Sequence, residues 1–320
     1  AAVSKTAPVT GKDLSLPVLE CVLLVAENNT LTIRATNLDL GIEVTIPVKV
    51  EESGTVAVPA DILRSFLSNL PYDDSVSLVA DDTTLKVTTS QSETEIHTQD
   101  YDEFPSIPSV SEGDTVTIPS EKLIKGFESV YYSASPSSMK PELSSVNMFT
   151  NDGSVMFVAT DSFRLAEKKV NVKNVKEFDS VLIPFENVSE VVRTFSGEGG
   201  EVEIDIGENQ ISFSLDGIYV TSRVIDGVFP DYQQIKQDLL NTLKLSNIFS
   251  DKFNKITLTV IPEEKEFSIR TQNADIGENV GKVDASLSGG DLTASFNYRY
   301  VMDCFQSINT DSVSLELSQN

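Results

Sequence analysis

Short runs in which apolar and polar residues alternate occur along most of the chain, and this period of two predicts β-strands. An apolar run at residues 155–158 (VMFV) also predicts a strand, with Val155 and Phe157 on one face and Met156 and Val158 on the other, and the polar, turn-forming residues 160–162 follow it. Similar segments, each a strand followed by a polar turn, occur at residues 31–39 and 267–275. The pattern therefore indicates one structural unit that is present three times, with the middle copy altered.

Three further stretches place apolar residues three and four positions apart, which predicts helices with one buried face. These helices follow Pro59, Pro119-Ser120 and Pro184, and both residue types favour a helix start. The residues predicted to face inward are Ile62, Leu63, Phe66, Leu67 and Leu70, then Leu123, Ile124, Phe127 and Val130, and finally Val188, Val191, Val192 and Phe195. Two more helices are predicted at residues 236–249 and 297–308, and a short one at residues 2–5.

The first two copies keep a nearly constant distance along the chain. Separations of 124 or 125 residues relate Ile33 to Phe157, Pro59 to Pro184 and Phe104 to Phe229. A chance similarity would not keep these separations constant over so long a stretch. In the third copy the separations fall to 111–113 residues. We therefore expect that about a dozen residues are absent near residues 233–238, and that the last hairpin, which begins at Val313, is cut short.

The repeats predict three modules, at residues 1–109, 110–235 and 236–320. The first is expected to be truncated at its N-terminus, and the third to lack the loop before it and its C-terminal part. Each module is predicted to be an α+β unit of two helices packed on an antiparallel sheet, and three such units favour a curved or closed assembly. No apolar run approaches the ~20 residues of a membrane-spanning helix, and no signal peptide is recognisable, so no membrane partner is predicted.

The net charge of the chain argues against binding to nucleic acid, but this charge is an average over the whole chain. It has 24 basic and 49 acidic residues, a net charge of −25, and such a surface repels phosphate. The five complete predicted helices, however, contain seven basic and seven acidic residues, so the strands and loops carry the whole excess of negative charge. Two interpretations stay open: either mixed charge is simply typical of helix surfaces, or one side of the protein tolerates phosphate while the rest repels it.

The sequence contains no residue pattern typical of an enzyme. It has no P-loop and no Gly-x-Ser-x-Gly motif. Cys21, Cys304 and the single histidine His97 are too scattered for a zinc site, so neither a metal nor a cofactor is predicted. The apolar neighbours of both cysteines favour buried thiols over a disulfide. Glu201 and Glu203 are a candidate acid pair for a polysaccharide-active enzyme, but their alternation along a strand is more typical of a solvated face.

The chain resembles the bacterial sliding clamp family, the beta subunit of DNA polymerase III. The resemblance rests on the threefold repeat and on residues 16–19 (LPVL), 159–166 (ATDSFRLA) and 221–232 (TSRVIDGVFPDY), and it covers essentially the whole chain. It implies a head-to-tail homodimer that closes a ring of six modules, with twelve helices around the hole and the sheets outside. It also implies a cytoplasmic, nucleoid-associated processivity subunit that is not an enzyme.

Duplex DNA is the partner that the resemblance implies for the hole of the ring, bound without sequence specificity. The basic residues predicted to line the hole are Lys5, Lys12, Arg64, Lys122, Lys125, Arg193, Lys244 and Arg299. Tyr131 and Tyr132 could stack on bases, although core packing is the favoured interpretation. For the interface between protomers, the family implies Phe104 of the first module and Ile248 and Phe249 of the third.

The family also has a pocket between the second and third modules for short linear motifs of the replicative polymerase, the clamp loader and repair or other polymerases. Carried over by position, this pocket consists of Thr160, Ser162, Phe163, Arg164, Leu165, Pro230, Gln234 and Ile235. It would have an apolar floor and a polar rim. The family usually has Gly-His at the positions of Ser162-Phe163. Without the resemblance, Phe163 and Leu165 are interpreted as core residues, and the chain as a repeat-built acidic binding protein unrelated to DNA.

Overall fold

The structure of the chain divides into two compact units, each of which is described by itself. Unit 1 contains Ala1–Lys125 and Val172–Ile225, and unit 2 contains Gly126–Asn171 and Asp226–Asn320. The computed structural model describes residues 1–11, 16–71, 75–81, 83–110, 113–162, 165–173, 175–230, 241–250, 252–283, 287 and 289–301.

Helices and strands alternate in groups along the chain, as expected for an α+β protein. The helices are α1 (Ala2–Thr6), α2 (Ala60–Ser68), α3 (Ser120–Glu128) and α4 (Phe185–Phe195). Residues 241–248 and 298–301 are also helical. The strands are β1 (Cys21–Glu27), β2 (Thr30–Thr36), β3 (Leu40–Pro47), β4 (Gly54–Pro59), β5 (Ser77–Ala80), β6 (Thr84–Thr88), β7 (Glu93–His97), β8 (Asp114–Pro119), β9 (Ser145–Asn151), β10 (Ser154–Thr160), β11 (Leu165–Asn171), β12 (Val181–Pro184), β13 (Glu201–Ile206), β14 (Gln210–Leu215), β15 (Ile218–Arg223), β16 (Lys255–Ile261), β17 (Glu266–Asn273), β18 (Gly277–Lys282) and β19 (Leu292–Asn297).

The main sheet of unit 1 is shared by the first two repeats. Its eight strands lie in the order β4-β1-β2-β3-β15-β14-β13-β8, and every neighbouring pair is antiparallel. The repeats meet where Leu40–Val44 of β3 pairs with Ile218–Ser222 of β15. The backbone groups along this junction are therefore hydrogen-bonded from one repeat to the next. Unit 1 also contains the three-stranded sheet β5-β6-β7.

The third repeat, in unit 2, reproduces the strand order of the first. Its sheet runs β18-β17-β16-β19, and the corresponding strands of the first repeat run β3-β2-β1-β4. In the second repeat, β9, β10 and β11 form the same two antiparallel pairs. The prediction of an α+β fold built from repeated units is confirmed.

The turn-forming residues 27–30 (ENNT) and 151–153 (NDG) predict two hairpins, and both hairpins are present in the structure. Asn28 and Asn29 have φ angles of 48° and 58° between β1 and β2, and Asp152 and Gly153 have 49° and 68° between β9 and β10. Two consecutive left-handed residues form the turn whose twist matches antiparallel strands, and Asn, Asp and Gly adopt that conformation at low cost.

Burial of the helices agrees with the predicted faces except in α2. The predicted residues that are buried are Leu63, Leu123, Phe127, Val130, Val188, Val191, Val192 and Phe195. Ile62 is instead 55% exposed, while Leu63 is 1% exposed. Neighbouring residues project about 100° apart on a helix, so with Leu63 at the centre of the buried face Ile62 points away from it. The prediction that Ile62 faces inward is wrong.

Two other local predictions need correction. The mostly apolar residues 16–24 predict a strand that begins at Leu16. The strand begins instead at Cys21, because Pro17–Glu20 forms a 3-10 turn in which the N–H of Leu19 bonds to the carbonyl of Leu16 at 3.1 Å. Pro17 has no N–H to donate to a strand neighbour. Tyr132 is 56% exposed in another 3-10 turn, Tyr131–Ser133, so the prediction of core packing is wrong for this residue.

The predicted features of the third repeat are described only in part. Residues 298–301 are helical, which agrees with the helix expected to start at residue 297. The proposed deletion near residues 233–238 and the truncated hairpin at Val313 lie outside the described residues. Among the described helices, none is long and apolar enough to cross a lipid bilayer.

Candidate functional site

The turn between β10 and β11 carries the first half of the predicted peptide pocket. Thr160 and Leu165 face each other as paired residues of the two strands, and the hydroxyl of Thr160 accepts a hydrogen bond from the N–H of Ser162 at 3.1 Å. Ser162 has φ = 71°, a left-handed conformation that favours glycine, which is the residue that the resemblance leads us to expect there. Ser162 therefore preserves the backbone of the turn.

Four of the eight predicted pocket residues can be placed. Thr160 is buried, Leu165 is partly buried, and Ser162 and Pro230 are exposed. Phe163, Arg164, Gln234 and Ile235 lie outside the described residues. The pocket as a whole stays a prediction.

The cations predicted to line a DNA channel differ in their surroundings. Lys122, Lys125, Lys244 and Arg299 are exposed on helices. Arg64 lies 3.5 Å from Asp61, one turn earlier in α2. Lys12 lies outside the described residues.

Lys5 and Arg193 form reciprocal contacts between the ends of two helices. The amino group of Lys5, in α1, bonds to the carbonyl of Thr194 at the end of α4 and pairs with Glu198 at 2.9 Å. The guanidinium of Arg193, in α4, donates to the carbonyls of Ser4 and Lys5 at 3.1 and 2.7 Å. Cations at helix C-termini satisfy carbonyls that lack intrahelical partners. Both side chains thus join the first repeat to the second, a role that no sequence pattern indicated.

The residues predicted for a protomer interface differ in their surroundings. Ile248 is 61% exposed at the end of helical residues 241–248, and Phe249 is partly buried beside it. Phe104 packs against a core cluster that includes Val18 and Leu23. An exposed isoleucine at a helix end is a candidate contact for another chain.

Two edge strands that the sequence prediction missed also bear on assembly. Within the described ranges, β7 pairs in a ladder only with β6, and β18 pairs only with β17. Each therefore presents one edge of unpaired backbone groups, which is a template for another strand. The signal in the sequence was the repeat itself: β7 corresponds to β15, and β18 to β3, the strands that pair in unit 1.

The groups considered for catalysis do not form a reactive site in the described residues. Cys21 is fully buried, and burial, with a smaller contribution from the charge of Glu20, raises the pKa of its thiol to about 11, so the thiol is protonated at neutral pH. His97, Glu201 and Glu203 are exposed on strands. Within the described ranges, no three His, Cys, Asp or Glu side chains are grouped as metal ligands. Cys304 lies outside those ranges.

Comparison with known proteins matches each third of the chain to a domain of one protein. Residues 1–108 match the family model of the DNA polymerase III beta subunit N-terminal domain, residues 117–231 the central domain, and residues 230–320 the C-terminal domain. The beta sliding clamp of Synechococcus elongatus is 28% identical over 324 residues, covering 95% of this chain and 86% of the relative. The beta sliding clamp of Staphylococcus aureus is 24% identical over 323 residues, covering 94% and 86%.

Solved structures with the same fold include the DNA polymerase III subunit beta of Pseudomonas aeruginosa and the DNA polymerase sliding clamp of Bacillus subtilis. The first has a TM-score of 0.70 at 24% identity and covers 97% of this chain and 88% of the other. The second has a TM-score of 0.69 at 22% identity and covers 96% and 87%. Sliding clamp proteins are not enzymes, in agreement with the prediction of a non-enzymatic chain. Because the three domain matches follow one another in the order of the three repeats, the chain belongs to the bacterial DNA polymerase III beta subunit, or sliding clamp, family.

Proposed function

We propose that two copies of this chain close head-to-tail into a ring that encircles duplex DNA, moves along it without sequence specificity and tethers the replicative polymerase and other factors. The observation that carries the proposal is the ordered match of all three clamp domains along the chain. Its parts, namely ring closure, DNA passage and tethering, each have support from the described residues.

The junction between the first two repeats suggests how the ring closes. There, β3 of one repeat pairs antiparallel with β15, the last strand of the next repeat. In the third repeat the counterpart of β3 is β18, and in the first repeat the counterpart of β15 is β7. Pairing of β18 from one protomer with β7 of its partner would repeat the same contact twice in a closed, two-fold arrangement. Ile248 would supply apolar contact beside this junction.

Passage of DNA requires a surface that accepts phosphate without reading bases. The exposed helix cations Lys122, Lys125, Lys244 and Arg299 supply such contacts, whereas the remainder of a chain with net charge −25 repels DNA. Lys5 and Arg193 contribute less, because their charged groups already bind helix ends within unit 1.

Retention on circular DNA tests the ring directly. Protein loaded by its clamp loader onto a nicked circular plasmid should co-elute with the plasmid in gel filtration, and cutting the plasmid once should release it. We expect Lys244→Glu with Arg299→Glu to shorten retention on the circle, because each reversal puts repulsion in place of attraction to phosphate. Lys169→Glu, an exposed cation on β11, is the matched control and should have no effect. Equal retention on circular and linear plasmid would contradict the ring.

Tethering is tested at the turn between β10 and β11. A synthetic peptide with a glutamine and aliphatic and aromatic anchors should bind the wild-type chain, and Leu165→Ala should weaken binding by about 30-fold, the effect of losing ~2 kcal/mol at an interface anchor. Met139→Ala, at a side chain that is 89% exposed in the same unit, should not change the affinity. Fluorescence anisotropy of the labelled peptide measures both, and equal affinity of the Leu165 variant would exclude this residue from the pocket.

A further inference from the structure

Unit 1 contains a cavity of about 170 Å³ that the proposed function does not use. Three segments line it: the turn at residues 36–41, residues 105–108, and the end of β15 at residues 221–223, with Gln210 beside them. Pockets for cofactors or drug-sized ligands are larger, about 300 Å³ or more. The volume therefore suits a side chain or two rather than a cofactor.

The turn at this cavity has the same geometry as the turn of the predicted peptide pocket. The hydroxyl of Thr36 accepts the N–H of Leu38 at 3.0 Å, as Thr160 accepts that of Ser162 at 3.1 Å. Leu38 and Ser162 have φ angles of 77° and 71°. A leucine rarely adopts this left-handed conformation, so the surrounding structure must impose it.

The segment opposite the turn is also the counterpart of a pocket wall. Residues 105–108 follow Phe104, and Phe104 corresponds to Phe229, which precedes the pocket residue Pro230. The cavity therefore occupies, between the first and second repeats, the position that the predicted peptide pocket occupies between the second and third.

The apolar part of this position is filled by the chain itself. A Cβ at Gly41 would lie 2.9 Å from Cγ2 of Ile107, so Ile107 packs directly on the strand backbone. The hydroxyl of Tyr219 donates to the carbonyl of Pro108 at 3.0 Å and accepts the N–H of Val110 at 3.2 Å. These bonds fix the segment against the sheet, and what stays open is the polar end of the cavity.

The open end presents a guanidinium with few partners. Among the described residues, the carboxylate nearest to Arg223 is that of Asp39 at 3.8 Å, which is too long for a hydrogen bond. The Arg223 side chain is 64% exposed. Thr221 lines the same cavity, is 3% exposed, and has a buried hydroxyl without a hydrogen-bond partner. At the rim, Leu38 is 45% exposed and offers an apolar surface next to the charge.

We propose that this cavity is a second peptide-docking site, which takes an acidic side chain and a neighbouring aliphatic side chain from an extended segment of a partner protein. The carboxylate lies against the guanidinium of Arg223, whose planar donors match a carboxylate, and the aliphatic group lies on Leu38. Since Ile107 already fills the apolar part, this site selects by charge, whereas the predicted pocket at Leu165 selects by apolar fit.

Methyl NMR of the full chain, labelled at Ile, Leu and Thr, tests the proposal. The probes are N-acetylated, C-amidated Ala-Leu-Asp-Ala and the same peptide with Asn in place of Asp, which keeps the shape and removes the charge. The aspartyl peptide should cause saturable shifts of the Leu38, Ile107 and Thr221 methyl signals. Affinity should fall about tenfold or more with the asparaginyl peptide and in Arg223→Gln, the size expected for a lost charge-assisted hydrogen bond.

Arg270→Gln is the matched control, because Arg270 is also on a strand but is paired with Glu278 at 2.7 Å; its affinity for the peptide should be unchanged. Backbone signals of Arg223→Gln should stay at their wild-type positions away from the cavity, which shows that the variant folds. Absence of saturable shifts at Leu38 and Ile107, or equal affinity of the two peptides or of Arg223→Gln, would overturn the proposal. The methyl groups of Thr160 and Leu165 report binding at the predicted peptide pocket in the same spectra, so each of the two sites is tested independently of the other.

Discussion

Replacing Ile248 and Phe249 together with alanine should convert the proposed dimer into monomers. Ile248 is 61% exposed at the end of helical residues 241–248, and Phe249 lies next to it. If each side chain is an interface anchor worth about 2 kcal/mol, the double variant loses ~4 kcal/mol at each of the two junctions of the ring. The dimer as a whole then loses about 8 kcal/mol, which weakens dimerisation by about a million-fold. Sedimentation equilibrium over a series of protein concentrations should then give the mass of one chain where the wild type gives that of two.

A matched control separates loss of the interface from loss of the fold. Tyr132→Ala removes another large exposed side chain, 56% exposed in the second repeat, and should leave the dimer intact. Phe249 is partly buried, so the single variant Ile248→Ala, which touches only the exposed residue, is measured as well and should show an intermediate loss. A dimer of unchanged affinity in both variants, with the far-ultraviolet circular dichroism of the wild type, would place the interface elsewhere.

The parts of the fold that depend on nearby residues could be predicted from the sequence. The left-handed Asn28-Asn29 turn and the helix after Pro59 follow from the conformations those residues allow. The repeat also predicts sheet topology, because three copies of one pattern should share one strand order. The order β18-β17-β16-β19 does reproduce β3-β2-β1-β4. Features that depend on contacts between distant residues were not predictable. Ile62 satisfies the helical pattern of α2, and only the packing around Leu63 determines that it faces outward.

In the candidate site, too, local features could be predicted from the sequence and contacts between distant residues could not. A count of charges marks Lys5 and Arg193 as basic residues on helices, but it does not show that each binds the end of the other's helix. The family pattern marks Ser162 as a departure from glycine, and the structure shows that the serine keeps the left-handed turn. The matching conformation of Leu38 could not be read from the sequence, because leucine gives no signal for it.

Gly126→Ala is expected to destabilise the chain although alanine favours a helix. Gly126 lies within α3, where replacing glycine usually gains about 1 kcal/mol. A Cβ at this position, however, would lie 2.5 Å from Cε2 of Phe157 and 2.7 Å from two other atoms of that ring. Phe157 is fully buried and meets Phe127 edge-on with ring centroids 5.0 Å apart, so it has no free space to move into. Overpacking of this kind costs ~1–3 kcal/mol.

Removing the ring of Phe157 should reverse the sign of the stability change that Gly126→Ala causes. Phe157→Ala alone should lower the free energy of unfolding by ~3–5 kcal/mol, the usual cost of emptying a buried aromatic site. In that background Gly126→Ala meets no ring, so it should be neutral or stabilising by up to about 1 kcal/mol. The coupling between the two sites is thus predicted to be large and of definite sign.

Gly54→Ala is the control, because nothing lies within 4 Å of a Cβ there, and it should change stability little. The chain has no Trp, so urea unfolding is followed by far-ultraviolet circular dichroism. A Gly126→Ala chain that is as stable as the wild type would mean that α3 and β10 can separate at no cost, and that the close contact of glycine with Phe157 does not hold this helix on its sheet.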